Sequence, residues 1–416
     1  MWELIRANKR DSVLLIVLMA VVLLALGFII GLAVVGPEGG VAGLGIAAVV
    51  WLVLTLVSFS SGDQILLAAS RAQPVTHDVH PQLFNIVEEM KIAAGLPALP
   101  KIYIINDPAP NAFATGRSPQ SASLAVTAGL LGRLNRDELQ GVVAHEMSHI
   151  LHRDILYVML AGVMLGGVVL LSQVFLRGLL HGSVGSQRRY SSQGRGGGQA
   201  QLVIAVVAIL AAILAPLMAQ LLYFALSRRR EYLADAGAAR LTRYPEGLAS
   251  ALEKIANDPA PALATANDAT APMYIVNPFK RRGQMRLSDW TSTHPPIAER
   301  ISILRSMAQG VSYKDYAQAF TAVTHARNPI PAAALTKEEV AIRPAQTEAT
   351  SQEKIHRQVH QIGDIMRKVN GFLFLTCACG LKIKVPPNFQ ADTLKCPRCG
   401  RTLPLAPQPG QPPAGG

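Results

Sequence analysis

The chain has little charge and few aromatic residues for its length. Only 16% of its 416 residues are charged and 6% are aromatic, whereas 50% are hydrophobic. Soluble domains carry about 25% charged residues on average. The shortage of charge therefore argues against an ordinary soluble protein and favours a membrane protein.

Acidic residues and cysteines are also few. The 27 acids face 39 Lys and Arg, for a net charge of +12. Because long apolar runs interrupt the chain, basic flanks of membrane spans explain this excess more simply than nucleic-acid binding does. The first 376 residues contain no cysteine, which excludes a disulfide framework there. We expect a lipid bilayer as a partner and no nucleic acid.

Four apolar runs are long enough to cross a bilayer as helices. They cover residues 13–35, 41–59, 155–176 and 202–226. The first lacks the small-residue cleavage site of a signal peptide, so the first two runs predict a transmembrane hairpin. The last two predict a second hairpin, with a buried core hairpin as the alternative.

Basic residues at the ends of the runs indicate their orientation, because Lys and Arg remain on the cytoplasmic side. Arg6, Lys9 and Arg10 precede the first run, and residues 228–230 are three arginines after the fourth. Both ends are therefore expected in the cytoplasm. The loop 177–200, which should then be external, carries four arginines and no acid, against this orientation.

An α+β domain is predicted between the hairpins. Apolar residues at helical spacing from Leu83 to Met90 stop at Gly95, and "KIYIIN", "NAFATG" and "SASLAVTAGLL" have the composition of strands. Asn135 and Glu138 form a capping-box pattern at the start of the next helix.

That helix contains "HEMSH". His145 and His149 are one turn apart, which lets two imidazoles reach one Zn²⁺, while Glu146 is placed to act on water rather than on the metal. Far along the chain, "REYLAD" offers Glu231 as a third ligand for an open His₂Glu site. Asp235 is one turn later and can orient a ligand histidine from behind.

The motifs "HEMSHILHRD", "REYLAD", "NAFATGRSPQSASLAVTAGLL" and "STHPPIAERI" together resemble the HtpX-type membrane zinc metalloproteases of the M48 peptidase family, over residues 1–307. The resemblance implies a gluzincin-like cytoplasmic domain on four transmembrane helices. It makes His145, His149 and Glu231 the zinc ligands and Glu146 the catalytic base. It also implies cleavage of misfolded or membrane proteins, for quality control, in the inner membrane of a prokaryote.

Two further motifs supply candidate residues around the metal. His294 in "STHPP" is a candidate donor to the oxyanion, with a structural surface histidine as the alternative. The strand "NAFATG" is a candidate edge for an extended substrate, with Asn111, Ala112 and Phe113 as substrate-binding residues. A plain core strand is the alternative there.

The layout predicts a site at the cytoplasmic membrane surface. The zinc helix is expected to continue into the third run, and Glu231 follows the fourth run within five residues. Substrates leaving the bilayer would meet the metal there. His152, on the same helix, is interpreted as an interfacial side chain rather than a ligand.

Beyond residue 330 the character of the chain changes. Residues 331–370 predict a linker followed by an amphipathic docking helix. All four cysteines follow, as "CACG" and "CPRCG", and Cys377, Cys379, Cys396 and Cys399 predict a closed zinc ribbon. Two disulfides are the alternative, which a cytoplasmic location disfavours. The ribbon is expected to bind a protein partner rather than nucleic acid, and residues 406–416 are expected to be disordered.

The sequence thus predicts an α-helical membrane protein with an α+β metalloprotease domain and a small ribbon, holding one catalytic and one structural zinc. The predicted segments are a transmembrane hairpin (1–60), the first protease part (61–154), a second hairpin (155–226), the second protease part (227–330), a linker and helix (331–370), the ribbon (371–405) and a tail (406–416). The expected function is a zinc metalloendopeptidase. A membrane adaptor without catalysis is the alternative.

Overall fold

The computed structural model describes residues 2–180, 198–259, 263–266, 273–276, 295–307, 310–335, 340–344, 363–389, 391 and 393–405. His294, residues 345–362 of the linker and the predicted tail lie outside these residues. Most of the loop between the third and fourth apolar runs, residues 181–197, lies outside them as well.

The chain begins with two long apolar helices, α1 (Trp2–Val35) and α2 (Pro37–Ala69). Gly36 joins them with a positive φ of 101°, and Pro37 starts the second helix at a position that needs no N–H donor. Helix α2 continues past residue 60, so the predicted domain boundary falls inside it. The helices pack along each other as an antiparallel hairpin.

A small mixed sheet follows, with one helix between its first and second strands in the sequence. Its elements are β1 (Ala72–Pro74), α3 (Pro81–Ala94), β2 (Lys101–Ile105), β3 (Ala112–Thr115) and β4 (Ser123–Thr127). The strand order is β1-β2-β4-β3, with β2 and β4 parallel and both outer pairs antiparallel. Strand β3 is therefore an edge. The stretch "SASLAVTAGLL" is a strand only to Thr127, after which α4 (Ala128–Arg133) begins.

Helix α5 (Arg136–Leu151) carries "HEMSH" and starts with the predicted capping box of Asn135 and Glu138. The sequence predicted that this helix continues into the third apolar run, but it does not. Arg153 adopts a left-handed conformation with φ 61°, which ends α5, and α6 (Asp154–Leu180) begins as a separate helix.

Helix α7 (Gly198–Thr242) is 45 residues long, about 68 Å at 1.5 Å per residue. It contains the fourth apolar run, Glu231 and Asp235 in one continuous helix. The predicted boundary at residue 226 therefore falls inside a helix as well.

Three described helices are long and apolar enough to cross a membrane: Ile16–Val35, Pro37–Ala69 and Asp154–Gly178. In the described part of α7 the apolar stretch is shorter, Val206–Met218. The protein therefore has a helical, membrane-type region joined to the mixed α+β domain.

Three shorter helices complete the domain: α8 (Pro245–Ala256), α9 (Ile297–Arg305) and α10 (Tyr313–Thr324). The main core joins them to α3, α5 and the sheet, and Ile365 and Met366 from the C-terminal part pack against it. A second cluster joins α1, α6 and α7. A third joins α2, the sheet and α6, through residues such as Leu66, Phe113 and Met159.

The C-terminal part forms two small hairpins after a helical segment at 363–369. The first pairs β5 (Leu373–Thr376) with β6 (Lys382–Val385), and the second pairs β7 (Thr393–Lys395) with β8 (Thr402–Pro404). Each hairpin turn carries one pair of cysteines.

Candidate metalloprotease site

Three predicted ligands converge between α5 and α7. Nε2 of His145 lies 3.3 Å from Nε2 of His149. The two Glu231 oxygens lie 3.6 Å from the first of these nitrogens and 3.5 Å from the second. The ligand atoms of His145, His149 and Glu231 thus occupy one small volume.

These separations fit a zinc ion. A tetrahedral ion bound at about 2.0–2.1 Å has ligand-to-ligand edges of about 3.3–3.4 Å. Three protein ligands leave the fourth position open, as catalytic zinc sites require. Helix α7 approaches α5 closely at Gly237, where a Cβ atom would collide with the Ser148 side chain.

A buried carboxylate lies behind each histidine. Asp235 Oδ1 is 3.0 Å from Nδ1 of His145, and Asp154 Oδ2 is 3.2 Å from Nδ1 of His149. Burial lowers the pKa of His145, but the carboxylates of Asp235 and Glu231 outweigh this and raise it to about 9. Each Nδ1 thus faces a carboxylate, which leaves each Nε2 for the metal.

The position of Asp235 was foreseeable from its spacing, whereas that of Asp154 was not. Asp154 reaches His149 because the chain turns sharply at Arg153 and restarts as α6. No helical spacing within one continuous helix predicts this contact.

Arg300, within "STHPPIAERI", is a second residue that the sequence did not single out. It is fully buried, and its Nε and Nη2 donate to the two oxygens of Asp235 at 2.8 and 2.7 Å. Its Nη1 donates to the Ile275 carbonyl at 3.1 Å and lies 3.4 Å from Glu231 Oε2. Burial raises the pKa of Asp235, but this guanidinium outweighs the effect and holds it below its ordinary value.

Glu146 is buried beside the three ligands and faces strand β3. Burial raises the pKa of its carboxyl group, while the two histidines and a hydrogen bond from the Ala114 main chain lower it by less. A carboxylate with a raised pKa is suited to accept and return a proton near neutral pH.

The candidate substrate residues lie at the edge of the sheet but point inward. Asn111, Ala112 and Phe113 are all buried. The Asn111 amide donates to the Val276 carbonyl at 2.9 Å, and the Ala112 carbonyl accepts from the Ile275 N–H at 2.9 Å. All four residues of β3 are buried, and at Ala112 another segment of the chain occupies the free edge of the strand.

The structure changes the interpretation of His152. Its side chain is buried, and its Nε2 lies 3.1 Å from the Tyr313 hydroxyl on α10. It is therefore an interior residue between α5 and α10 and not an interfacial one. Burial lowers its pKa to about 4, against the opposing effect of Asp154.

The four cysteines form a second cluster. Sγ of Cys377 lies 3.5 Å from Sγ of Cys399, and Sγ of Cys379 lies 3.7 Å from Sγ of Cys396. These distances exceed the S–S bond length of about 2.05 Å and are close to the edge of about 3.8 Å expected around Zn²⁺ with Zn–S bonds of about 2.3 Å. The cluster suits a tetrahedral metal ion.

Glycine makes both cysteine turns possible. Gly380 and Gly400 have φ of 81° and 74°, a region that other residues rarely adopt. Their N–H groups donate to the Cys377 and Cys396 carbonyls.

The comparisons with known proteins agree with this geometry. The model of peptidase family M48 matches residues 77–308, which include His145, His149 and Glu231. No solved structure matches the chain.

Curated relatives are similar over most of their own length. The protease HtpX homolog of Dictyoglomus turgidum is 44% identical over 309 residues, covering 74% of this chain and 95% of that protein. Those of Caldanaerobacter subterraneus and Streptococcus uberis are 41% and 38% identical over 307 residues, 74% of this chain and 98% and 100% of theirs. The chain therefore belongs to peptidase family M48, as a metalloprotease of the HtpX type.

Proposed function

We propose that the protein is a membrane-bound zinc endopeptidase that cleaves misfolded or membrane proteins at the cytoplasmic face of a prokaryotic inner membrane. The convergence of His145, His149 and Glu231, on helices that are joined to or continuous with apolar segments, supports this proposal. Such a site serves quality control, because segments that leave the bilayer meet it directly.

The chemistry assigns a distinct role to each residue. His145, His149 and Glu231 would hold the zinc, which, when bound, polarises the scissile carbonyl and acidifies the attacking water. Glu146 takes the proton at its carboxylate and returns it to the nitrogen of the departing amine. Asp235 and Asp154 fix the histidine tautomers, and His294 remains our proposed donor to the oxyanion.

An extended substrate would add beside β3 through main-chain hydrogen bonds. The buried side chains of Asn111, Ala112 and Phe113 would shape this edge rather than contact the substrate. At the Ala112 carbonyl the substrate would have to replace Ile275, whose carbonyl is held by Arg300. Arg300 thereby connects the substrate edge to Asp235 and the metal site.

We propose four membrane spans with both ends of the chain in the cytoplasm. A membrane-impermeant thiol reagent, applied to intact cells, should then label Ser186→Cys in the loop between the last two spans. Ser306→Cys, an exposed position of the protease domain, should be labelled only after lysis. Peptide mapping separates these sites from the native cysteines. Protection of Ser186→Cys in intact cells would favour a buried hairpin over two spans.

We assign the second zinc to Cys377, Cys379, Cys396 and Cys399. Four thiolates close the coordination sphere, so this ion is structural and the module is a zinc ribbon. We propose a protein partner or substrate segment as its ligand. The seven segments from 1–60 to 406–416 remain our proposed division by function, although two of their boundaries fall inside α2 and α7.

Cleavage of an unfolded polypeptide by the purified protein tests the central proposal. Activity should disappear with a chelator and return with zinc. Glu146→Gln should abolish it while the metal content stays the same, because Glu146 is not a ligand. Activity that persists in the chelator, or that survives Glu146→Gln, would contradict this mechanism.

A further inference from the structure

A cavity of about 710 Å³ lies beside α7, between residues inside the M48 family match and a segment that follows the last matched residue. One wall is α7, with Arg229 and Tyr232. The other is the segment from Arg327 to Leu335, which follows α10. The protease site described above uses none of these residues.

The cavity is positively charged. Two guanidinium groups line it, and its lining contains no carboxylate. Arg229 donates through Nε to the Pro329 carbonyl at 2.8 Å, which fixes its guanidinium at the rim. Arg327 is exposed and forms no ion pair within the described part of the chain. Two arginines at one opening favour an anion with several acceptor oxygens.

The rest of the lining is mostly apolar, with Ile330, Pro331 and Leu335 facing Tyr232. The combination of two arginines with an apolar lining suits an amphiphilic ligand that has an anionic headgroup and an apolar chain. A free phosphate or a sugar phosphate would gain nothing from these side chains.

The cavity also lies where lipid headgroups are expected. Arg229 follows the fourth apolar run within three residues. The 3₁₀ turn Ala332–Ala334 packs against α1, whose first residues include Arg6 and Arg10. Under the proposed topology, both helix ends lie at the cytoplasmic headgroup layer. The inference rests on the proposed function in this one respect.

We propose that this cavity binds the phosphate headgroup of an anionic phospholipid. Arg229 and Arg327 contact the phosphate oxygens, and the apolar side chains contact the glycerol and the first acyl carbons. Basic pockets beside transmembrane helices on the cytoplasmic side have the chemistry for such ligands.

The test uses the full-length protein in neutral detergent, titrated with short-chain phosphatidylglycerol and followed by native mass spectrometry. Each basic residue near an anionic lipid contributes about 1 kcal/mol, so Arg229→Gln with Arg327→Gln should weaken binding about 30-fold. Arg327→Gln alone, at an exposed position that tolerates change, should weaken it about fivefold. Lys101→Gln with Lys314→Gln removes two exposed charges elsewhere and should leave binding unchanged.

Equal weakening by the two double variants would show unspecific attraction and overturn the proposal, as would unchanged binding in Arg327→Gln. Glycerol 3-phosphate and phosphatidylcholine should bind at least tenfold more weakly than phosphatidylglycerol. If glycerol 3-phosphate binds equally well, the site is for a soluble phosphate and the lipid assignment is wrong. Binding in detergent does not depend on orientation, so it can fail while the Ser186→Cys result still supports the topology.

Discussion

The two candidate metal sites of this protein differ in how far apart their residues lie in the sequence. The proposed His₂Glu site takes its residues from α5 and α7, with 81 residues between His149 and Glu231. The cysteine cluster takes its four sulfurs from two short hairpins, and its first and last cysteines are 22 positions apart in the sequence. The first cluster depends on the fold of a whole domain, whereas the second organises its own small surroundings.

The surroundings of the two clusters differ in the same way. Buried carboxylates and the buried Arg300 surround the histidines, so the larger domain itself orients the proposed ligands. The ribbon strands are only partly buried, and too little apolar surface is present to fold them without a metal. Metal should therefore act on chemistry in the first cluster and on folding in the second.

The sharpest test of this contrast removes one ligand set at a time. Glu231→Ala should lose the catalytic zinc and essentially all peptidase activity. Cys396→Ser with Cys399→Ser should lose the other zinc and unfold residues 371–405, while cleavage of a short peptide continues. Metal analysis should find about two zinc ions per chain in the native protein and about one in each variant.

A different pattern would break the comparison. If the cysteine variant loses peptidase activity while its protease domain remains folded, the ribbon belongs to the catalytic machinery. If protein prepared under reducing conditions holds one zinc and four free thiols, the assignment of a ribbon zinc is wrong.

The second test concerns the carboxylates behind the histidines. Asp154→Asn should weaken zinc binding about 10–100-fold, because the Asp154 carboxylate orients His149. Asp235→Asn should weaken it as much and also destabilise the domain, since it leaves the buried Arg300 charge unpaired. Competition with a zinc indicator gives the affinities. Asp78→Asn, an exposed carboxylate elsewhere, serves as the control, and a loss of affinity equal to the control's would disprove the orienting role.

Local patterns in the sequence were enough to predict much of this architecture. The capping box at Asn135, the end of α3 at Gly95 and the grouping of the four cysteines all depend on short-range spacing, and the structure contains each. The convergence of Glu231 on "HEMSH" needed two motifs and the chemistry of zinc. The roles of these residues remain proposals that the experiments test.

What the sequence did not reveal depends on distant contacts or unusual backbone. The contact of Asp154 with His149 requires a left-handed Arg153, which is uncommon for that residue type. Arginine is usually a surface residue, yet Arg300 is fully buried against Asp235. The segment 340–344 is too short to show a periodic pattern, although its Arg343 forms hydrogen bonds with α5 and α7 of the protease domain.

The third test uses pH. The buried His152 lies at the C-terminal end of α5, whereas residues 371–405 contain no histidine. Burial lowers the pKa of His152 from 6.5 to about 4, although Asp154 opposes this, so the unfolded chain takes up a proton there first. Its stabilising effect is complete above about pH 6.5 and is lost as the pH falls towards 4. At pH 5 the loss should be about 2 kcal/mol.

His152→Gln should reduce this acid sensitivity, since a glutamine amide does not titrate. Thermal unfolding between pH 8 and pH 5, at saturating zinc, gives the comparison. Both proteins lose zinc-ligand stability in acid, so the difference between their slopes isolates His152. Parallel slopes would show that His152 does not titrate in this range.

The last test asks whether the C-terminal extension is as independent as the contrast implies. Arg343, 35 residues beyond the family match, donates to Asp137 Oδ1 at 2.6 Å and Gln140 Oε1 at 2.8 Å near the start of α5. Its Nε donates to the Thr242 carbonyl at the end of α7 at 3.0 Å. One side chain thus connects the two helices that carry the proposed zinc ligands.

Arg343→Ala should therefore destabilise the protease domain by about 1–2 kcal/mol, since the ion pair is only partly exposed. The unfolding midpoint should fall by about 2–8 °C. Arg305→Ala breaks pairs with Glu246 and Glu253 that are about 40% exposed or more, and it should change the midpoint little. If the two variants behave alike, residues 340–344 only cover the surface. If Arg343→Ala alone lowers the midpoint, the extension stabilises the catalytic fold, and only the ribbon beyond it is a separate module.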